Sequence, residues 1–280
     1  MNCSQKVIGF LALTALLTLC LPPGNVSMGL KTFSLHSVAL AADQAPKEKQ
    51  PGSFIWSVPQ RGAPGETPSG EEAFGEEPVT VADPLEPMNR FFFHFNDKLY
   101  FWVLKPVGTA YGTVLPPGIR IAIRNAFHNI AMPVRVINCA LQGKGEAMGT
   151  ELGRFVINST LGIGGLVDFA YNEYGLKVHD EDTGQTFGVW GMKPLMYVNL
   201  PILGPSSVRD GLGLAGDTFL NPVYYLTPND YVSLGVKAGK EVNNVSLRLG
   251  EYEDFKKSAL DPYISMRDAY IQYRAEEIKK

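Results

Sequence analysis

Charged residues are scarce in this sequence. Asp, Glu, Lys and Arg together make 19% of its 280 residues, against roughly 25% in an average soluble protein. The formal net charge is -3, while 15 Phe, 12 Tyr and 3 Trp are available for a core, which excludes a largely disordered chain. No run of Lys and Arg is present, so nucleic acid is not expected as a partner.

Cysteine and histidine are also few. Cys3 and Cys20 lie near the N-terminus and Cys139 stands alone in the body, so no disulfide framework is predicted. The histidines are too far apart in sequence for a local metal motif: His36, His94, His128 and His179. The sequence also lacks a Gly-x-Ser-x-Gly elbow and a His-Glu-x-x-His motif. The sequence therefore shows neither a metal-binding motif nor a catalytic motif of these kinds.

Two sequence patterns resemble ligand-binding motifs but are better explained by turns in the chain. Gly211–Gly216 matches the letters of a dinucleotide motif, but a turn precedes it and Pro222 follows, so a strand–turn–helix unit is not predicted. The acidic run 179–182 indicates a solvated turn, because carboxylates favour water unless they are paired.

The N-terminus is typical of an export signal. Lys6 precedes a 15-residue apolar run, Val7–Leu21, which is short for a membrane span of about 20 residues. We predict a signal peptide over residues 1–41, with cleavage near Ala41 or Ala42. Lipidation at Cys20 is the alternative, although bulky Leu19 precedes it where a small residue is expected. Either way, the protein is predicted to be exported.

A flexible tether and one folded domain are predicted to follow the signal. Residues 42–82 are rich in Pro, Gly, Ser, Glu and Lys and contain too little apolar surface to offset the entropy of ordering. Residues 83–280 suit a single, mainly α-helical domain.

The first part of this domain is predicted to form strongly apolar helices. They cover Met88–Leu104, Ile119–Leu141 with a break at Pro133, and Glu146–Leu161. The first is apolar around most of its circumference, which indicates deep burial or contact with lipid. The candidates for contact with the membrane are Phe91, Phe92, Phe95, Phe101, Trp102, Ile121 and Phe127.

The remainder is predicted to be more varied. Residues 166–217 contain many turn residues around β-prone runs such as Thr186–Trp190 and Met196–Leu200, which indicates a small hairpin or irregular loops. Residues 250–280 repeat aromatic and apolar side chains every three or four positions, which predicts an amphipathic helix broken at Asp261–Pro262.

Asparagine and arginine recur within the apolar helices. Capping and ordinary surface positions explain many such residues, but as a set they would also suit a polar lumen, since polar groups in hydrocarbon are costly unless they face a partner or a wet cavity. The candidates for a lipid channel are Asn89, Arg90, Asn96, Asn125, Asn129, Asn138, Arg154 and Asn158, with Gly162, Gly164 and Gly165 as a possible gate. Arg120, Arg124 and Arg135 belong to the same wider set.

Several ordered motifs resemble the MlaA (VacJ) family. They are Asp83–Arg90 (DPLEPMNR), Phe95–Asp97, Lys105–Val107, Asn138 with Leu141–Lys144, Arg154–Gly165 (RFVINSTLGIGG), Gln185–Gly191 and Leu200–Asp210 (LPILGPSSVRD). Together they extend from Asp83 to about Tyr225 in family order.

The resemblance implies a fold and a function. The family forms a ring of mostly amphipathic helices in the inner leaflet of the outer membrane, on its periplasmic side, around a central channel. The channel passes phospholipids mislocalised to the outer leaflet on to a soluble periplasmic carrier, and trimeric porins can be partners. The resemblance also implies that the protein uses no cofactor, holds no metal and has no enzymatic activity. The family is usually anchored by a lipidated cysteine, for which Cys20 is the candidate here.

Two alternatives stay open. One is an envelope scaffold that binds partners without moving lipid. The other is a periplasmic hydrolase in which Ser206 or Ser207, near Asp210, is the nucleophile and His179 the base.

Overall fold

Helices dominate residues 79–280, which are the residues described by the structure, a computed structural model. The mainly α fold class is therefore confirmed. The predicted signal peptide, the lipidation candidate Cys20 and all but the last residues of the predicted tether lie outside the described residues. None of the described helices is long and apolar enough to cross a membrane.

The first helical track is longer than predicted. Helix α1 (Glu86–Leu99) continues through a π-helical turn (Tyr100–Leu104) into α2 (Lys105–Val114). The wider turn lies directly before Pro106, which has no N–H to donate to the preceding turn. The predicted helix Met88–Leu104 is thus confirmed and extended at both ends.

The next two predicted helices are also present. Helices α3 (Pro117–Ile130) and α4 (Met132–Leu141) are separated at Ala131, and Pro133 stands in the first turn of α4, where its missing N–H leaves no bond unmade. Helix α5 (Gly145–Thr160) packs against α4 after a short turn.

Residues 166–220 contain more helix than predicted. Helices α6 (Phe169–Tyr174) and α7 (Thr183–Val189) precede a two-stranded antiparallel hairpin, β1 (Tyr197–Leu200) and β2 (Gly204–Ser207), in which Tyr197 pairs with Ser207. Helix α8 (Val208–Leu220) follows directly. The hairpin is confirmed.

Two expectations for this region were wrong. The run Thr186–Trp190 is helical rather than extended, because the Asp182 side chain caps α7 by accepting a hydrogen bond from the Gln185 N–H at 2.8 Å. The turn predicted directly before Gly211 is also absent: Gly204–Ser207 forms β2 and Val208 begins α8, because Ser207 caps this helix in the same way through the Asp210 N–H. Gly211–Gly216 consequently lies inside a helix.

The C-terminal helices supply most of the core. Helices α9 (Pro222–Leu226) and α10 (Asp230–Leu247) are followed by α11 (Glu251–Ser258) and α12 (Pro262–Lys279), with the predicted break at Asp261–Pro262. The buried hydrophobic cluster comprises Phe93, Tyr100, Tyr197, Val245, Tyr252, Tyr263, Met266, Tyr270 and Ile271. Most of these residues come from the C-terminal segment, so its aromatic face closes the fold against α1 and the hairpin.

Helices α7 and α8 approach each other closely at two glycines. A Cβ atom at Gly213 would lie 2.3 Å from the backbone nitrogen of Gly184, so no side chain fits there without backbone movement. Gly149 in α5 has no such neighbour within 4 Å.

This contact generates a stability prediction. Gly213→Ala should lower the free energy of unfolding by about 2 kcal/mol, because overpacking outweighs the gain in helix propensity. The matched variant Gly149→Ala, also within a helix, should leave the stability unchanged or raise it by up to about 1 kcal/mol. Urea unfolding in detergent micelles measures both, and equal effects of the two variants would contradict the packing argument.

Candidate functional site

A cavity of about 380 Å³ lies between the helices and the hairpin. Its size is at the lower end of small-molecule pockets, roughly 300–1,000 Å³. Its apolar lining is Ala131, Val134, Leu200, Leu203, Pro205, Leu214 and Leu247. Its charged or titratable lining is Arg124, His128, Arg135, Asp180, Glu181, Asp182, Asp210, Asp217, Lys240, Arg248, Tyr270, Tyr273 and Arg274. The cavity therefore offers both ionic and hydrocarbon contacts.

One wall is a buried ionic cluster. Arg274 of α12 donates hydrogen bonds to Asp182 at 2.6 Å and to Asp210 at 2.8 Å, and the Tyr270 hydroxyl also donates to Asp210. Burial opposes ionisation of Asp210, but the charge and hydrogen bonds of Arg274 hold its pKa below the usual value. These contacts join α7, α8 and α12 around the cavity.

A second ion pair lies beside the cavity. The Arg135 Nε atom donates to the fully buried Glu151 carboxylate at 2.6 Å, which links α4 to α5. The other Glu151 oxygen accepts a hydrogen bond from the His179 N–H at 2.8 Å. Because both Glu151 oxygens have partners, this buried charge is well compensated.

Two aspartates in the lining hold protons unusually strongly. Burial raises the pKa of Asp180 to about 6. Burial, followed by the charge of Asp182, also raises the pKa of Asp217 to about 6. Burial and neighbouring cations depress the pKa of His128 well below its usual value, so its imidazole is neutral.

The acidic run 179–182 is not the solvated turn that its composition indicated. Glu181 is buried and pairs with Lys144 at 2.7 Å, and Asp182 pairs with Arg274. The fold supplies cationic partners from distant segments, which removes the need for water. Within residues 79–280, no group of three His, Cys, Asp or Glu side chains could hold a metal ion.

The asparagines proposed for a channel have internal partners. Asn89 donates to the Tyr197 carbonyl at 3.1 Å, and Asn96 donates to the Leu200 carbonyl at 2.9 Å while accepting from the Ile202 N–H at 2.7 Å. These bonds attach the hairpin to α1, so both side chains position one wall of the cavity.

The other candidates are arranged similarly. The Asn138 side chain accepts a hydrogen bond from the Thr186 hydroxyl, and Asn129 donates one to the Ser159 hydroxyl. Asn125 donates to the Leu166 carbonyl, and Arg154 and Asn158 both donate to Asp168. Arg90 forms ion pairs with Glu86 and Asp261. Gly162, Gly164 and Gly165 form a turn, in which Gly164 and Gly165 have positive φ and a Cβ at Gly165 would strike Asn129. Among the described residues, none of these eleven candidates lines the cavity. Their part in a lipid channel stays a prediction.

The membrane-facing candidates divide into two groups. Phe91, Phe95 and Trp102 are exposed, and Trp102 is 74% exposed. Phe92, Ile121 and Phe127 are half-buried, and half-buried Phe101 packs against Tyr252. Phe91, Phe95 and Trp102 continue with exposed Val103, Val107 and Val114 along α1, the π turn and α2, and we name these six residues the exposed apolar stripe.

The serines of the hydrolase hypothesis have structural contacts. The buried Ser207 hydroxyl caps α8 and donates to Asp210 at 2.9 Å, and the Ser206 hydroxyl donates to the Ser207 carbonyl. Neither hydrogen bond involves a histidine, so the arrangement does not provide the base that a serine nucleophile requires.

Sequence reasoning missed part of the cavity. Lys240 and Arg248 belong to a segment for which no element was predicted, and Arg124 was one of several arginines in the apolar helices. The sequence feature that could have identified them is weak. A polar residue on an apolar helix indicates that the residue faces the interior, but it does not show that the residue lines a cavity.

Asp217 generates a pH prediction. Because its folded-state pKa is raised, ionised Asp217 destabilises the fold above about pH 6, and this cost disappears as pH falls towards 4. Asp217→Asn should therefore raise the free energy of unfolding by about 1–2 kcal/mol at pH 7.5 and by much less at pH 4.5. The Asn oxygen can still accept the hydrogen bonds that Thr183 donates to Asp217.

Urea unfolding at the two pH values checks this expectation. Exposed Asp254 supplies the control, since Asp254→Asn removes a carboxylate that already contacts water and should give no comparable gain in stability at pH 7.5. A benefit of Asp217→Asn that does not depend on pH would refute the assignment.

Comparisons with known proteins agree on one family. The sequence model of the MlaA lipoprotein family matches residues 81–277. An uncharacterized protein of Rickettsia conorii is 33% identical over 202 residues, which is 72% of this chain and 80% of the relative. The intermembrane phospholipid transport system lipoprotein MlaA of Escherichia coli is 30% identical over 194 residues, 68% of this chain and 76% of the relative.

A solved structure matches the fold as well. It comes from work on the structural basis for maintenance of bacterial outer membrane lipid asymmetry. It is 30% identical, has a TM-score of 0.63, and the match covers 70% of this chain and 99% of that one. The chain therefore belongs to the MlaA lipoprotein family.

Proposed function

We propose that this protein moves phospholipids between the membranes of a Gram-negative envelope. It removes phospholipid mislocalised to the outer leaflet of the outer membrane and so maintains lipid asymmetry. The observation that carries the proposal is the cavity, which places ionic side chains such as Lys240 beside apolar ones such as Leu214. A phospholipid has this same combination of a charged headgroup and apolar chains. The proposal is also supported by a relative of this protein, the Escherichia coli lipoprotein MlaA, which is named for intermembrane phospholipid transport.

The exposed apolar stripe supports residence in a membrane leaflet. Exposed Phe, Trp and Val side chains along one helical track would be costly in water, while lipid removes their apolar surface from water. With no described helix able to span a bilayer, we propose that α1 and α2 lie in the inner leaflet of the outer membrane, on its periplasmic side.

The family resemblance suggests which partners the protein has and what kind of reaction it carries out. The proposal includes a soluble periplasmic carrier that accepts the lipid, a trimeric porin as a possible neighbour, and helices forming a ring around the lipid path. Transfer of an intact lipid breaks no covalent bond, so the proposed role is not enzymatic.

An envelope scaffold is the second candidate. A separate exposed aromatic and aliphatic patch on α9 and α10 favours it, since such patches mark interaction surfaces: Tyr225, Leu226, Tyr231 and Leu234. A scaffold would bind partners but would neither retain nor transfer lipid.

Membrane contact by the stripe is directly testable. The double variant Phe91→Ser/Trp102→Ser should bind outer-membrane-like vesicles at least about tenfold more weakly, since each side chain contributes roughly 1.5–3 kcal/mol when buried. Co-sedimentation measures the change. Leu260→Ser removes an apolar side chain that is even more exposed than Phe91 or Trp102 but lies outside the stripe, and this variant should bind normally. Equal loss in both variants would contradict the assignment.

Lipid passage through the cavity is tested by crosslinking. A photo-reactive amino acid at Leu203 or Leu214, which line the cavity, should capture labelled phospholipid during transfer to acceptor vesicles. The same probe at exposed Lys257 on α11 controls for random contact. Capture of protein partners without lipid at either cavity position would favour the scaffold.

A further inference from the structure

Three cations line the part of the cavity formed by α3 and the C-terminal half of α10. They are Arg124 of α3, Lys240 of α10, and Arg248 directly after α10. Across the part of the chain that the structure describes, no carboxylate forms an ion pair or hydrogen bond with any of these three side chains. Asp168, Asp180 and Glu241 influence them only at longer range.

The other cations of the lining differ in this respect. Arg135 pairs with Glu151 at 2.6 Å, and Arg274 pairs with Asp182 at 2.6 Å and Asp210 at 2.8 Å. The fold therefore pairs with carboxylates the cations that join its helices, and among the described residues it leaves three cations of the lining without a directly paired carboxylate.

Grouping these cations is unfavourable without an anion. Burial and the charge of Arg248 lower the pKa of Arg124 to about 10, which shows that the two guanidinium groups repel in a partly desolvated place. Like charges in such surroundings are costly, and an anion between them would convert the repulsion into attraction. The neutral His128 side chain adds a buried Nε2 atom without a hydrogen-bond partner to the same cavity.

Arginine side chains that line a partly buried cavity are well suited to bind phosphate. Its planar guanidinium forms paired hydrogen bonds with phosphate oxygens, and lysine binds phosphate as a point charge. Leu214 and Leu247 of the same lining provide apolar contact next to the cations. A phosphate that carries a hydrocarbon substituent satisfies both features.

We propose that Arg124, Lys240 and Arg248 form a binding site for the phosphate of a glycerophospholipid. This proposal rests on the proposed function and adds the chemical group that the cavity recognises. Because every glycerophospholipid has this phosphate, the site distinguishes phospholipids as a class from uncharged lipids such as diacylglycerol.

Binding titrations on the full chain in detergent micelles test the site. Wild-type protein should bind dihexanoyl phosphatidylglycerol at least about tenfold more tightly than dihexanoyl glycerol, equivalent to one charge-assisted contact or more. Arg124→Gln/Arg248→Gln should lose most of that preference. The matched control Lys193→Gln/Lys257→Gln removes two exposed cations outside the lining and should retain it.

Stability without ligand separates binding from a structural role. If the cations merely supported the fold, Arg124→Gln/Arg248→Gln would lower the Tm of the ligand-free protein. The proposal predicts a Tm equal to or above the wild-type value, because the substitution relieves repulsion. A lowered Tm together with unchanged lipid preference would overturn the site.

Further measurements identify the source of the phosphate and distinguish failure of this site from failure of the proposed transfer function. Inorganic phosphate that binds wild type as tightly as phosphatidylglycerol would indicate a free-phosphate site and overturn the lipid assignment. A double variant that binds and transfers phospholipid normally would overturn the site and leave the transfer function intact. A wild-type protein that neither binds nor transfers phospholipid would overturn both.

Discussion

The pairing of buried charge is the constraint on which the structure depends. Arg274 bonds Asp182 at the start of α7 and Asp210 in the first turn of α8, so one guanidinium joins three helices. Removing one member of such a cluster leaves the others unpaired, at a cost of several kcal/mol. The same two helices also make the close contact between Gly184 and Gly213, where no side chain fits.

Because charged side chains are paired inside the fold, charge lies around the cavity and much of the outer surface is apolar. Ionic groups collect around an internal cavity, while Phe91, Trp102 and Val114 lie exposed along the first helical track. A water-soluble domain places its charges mainly outside. The low overall charge therefore reflects a surface from which charges are missing, and this arrangement suits a protein that contacts lipid outside and a headgroup inside.

Long, periodic elements were predictable and short ones were not. The helix pair around Pro133 and the break at Asp261–Pro262 follow from apolar spacing and the missing proline N–H. Helices α7 and α8 contain several glycines and β-prone residues, so local propensity opposes them. They form because Asp182 and Ser207 cap them and because they pack tightly against each other, and neither effect is visible in a short window of sequence.

By itself, the sequence determined the family, the mainly helical class and the strongly apolar first track, since these depend on ordered motifs and local periodicity. Tertiary structure decided which polar residues serve the fold and which face the cavity. Asn89 contacts Tyr197 across 108 positions, whereas Arg124 and Arg248 line the cavity with no ion-paired carboxylate among residues 79–280. Such partners are far apart in sequence, and a side chain's role depends on whether its charge or hydrogen bond is satisfied after folding.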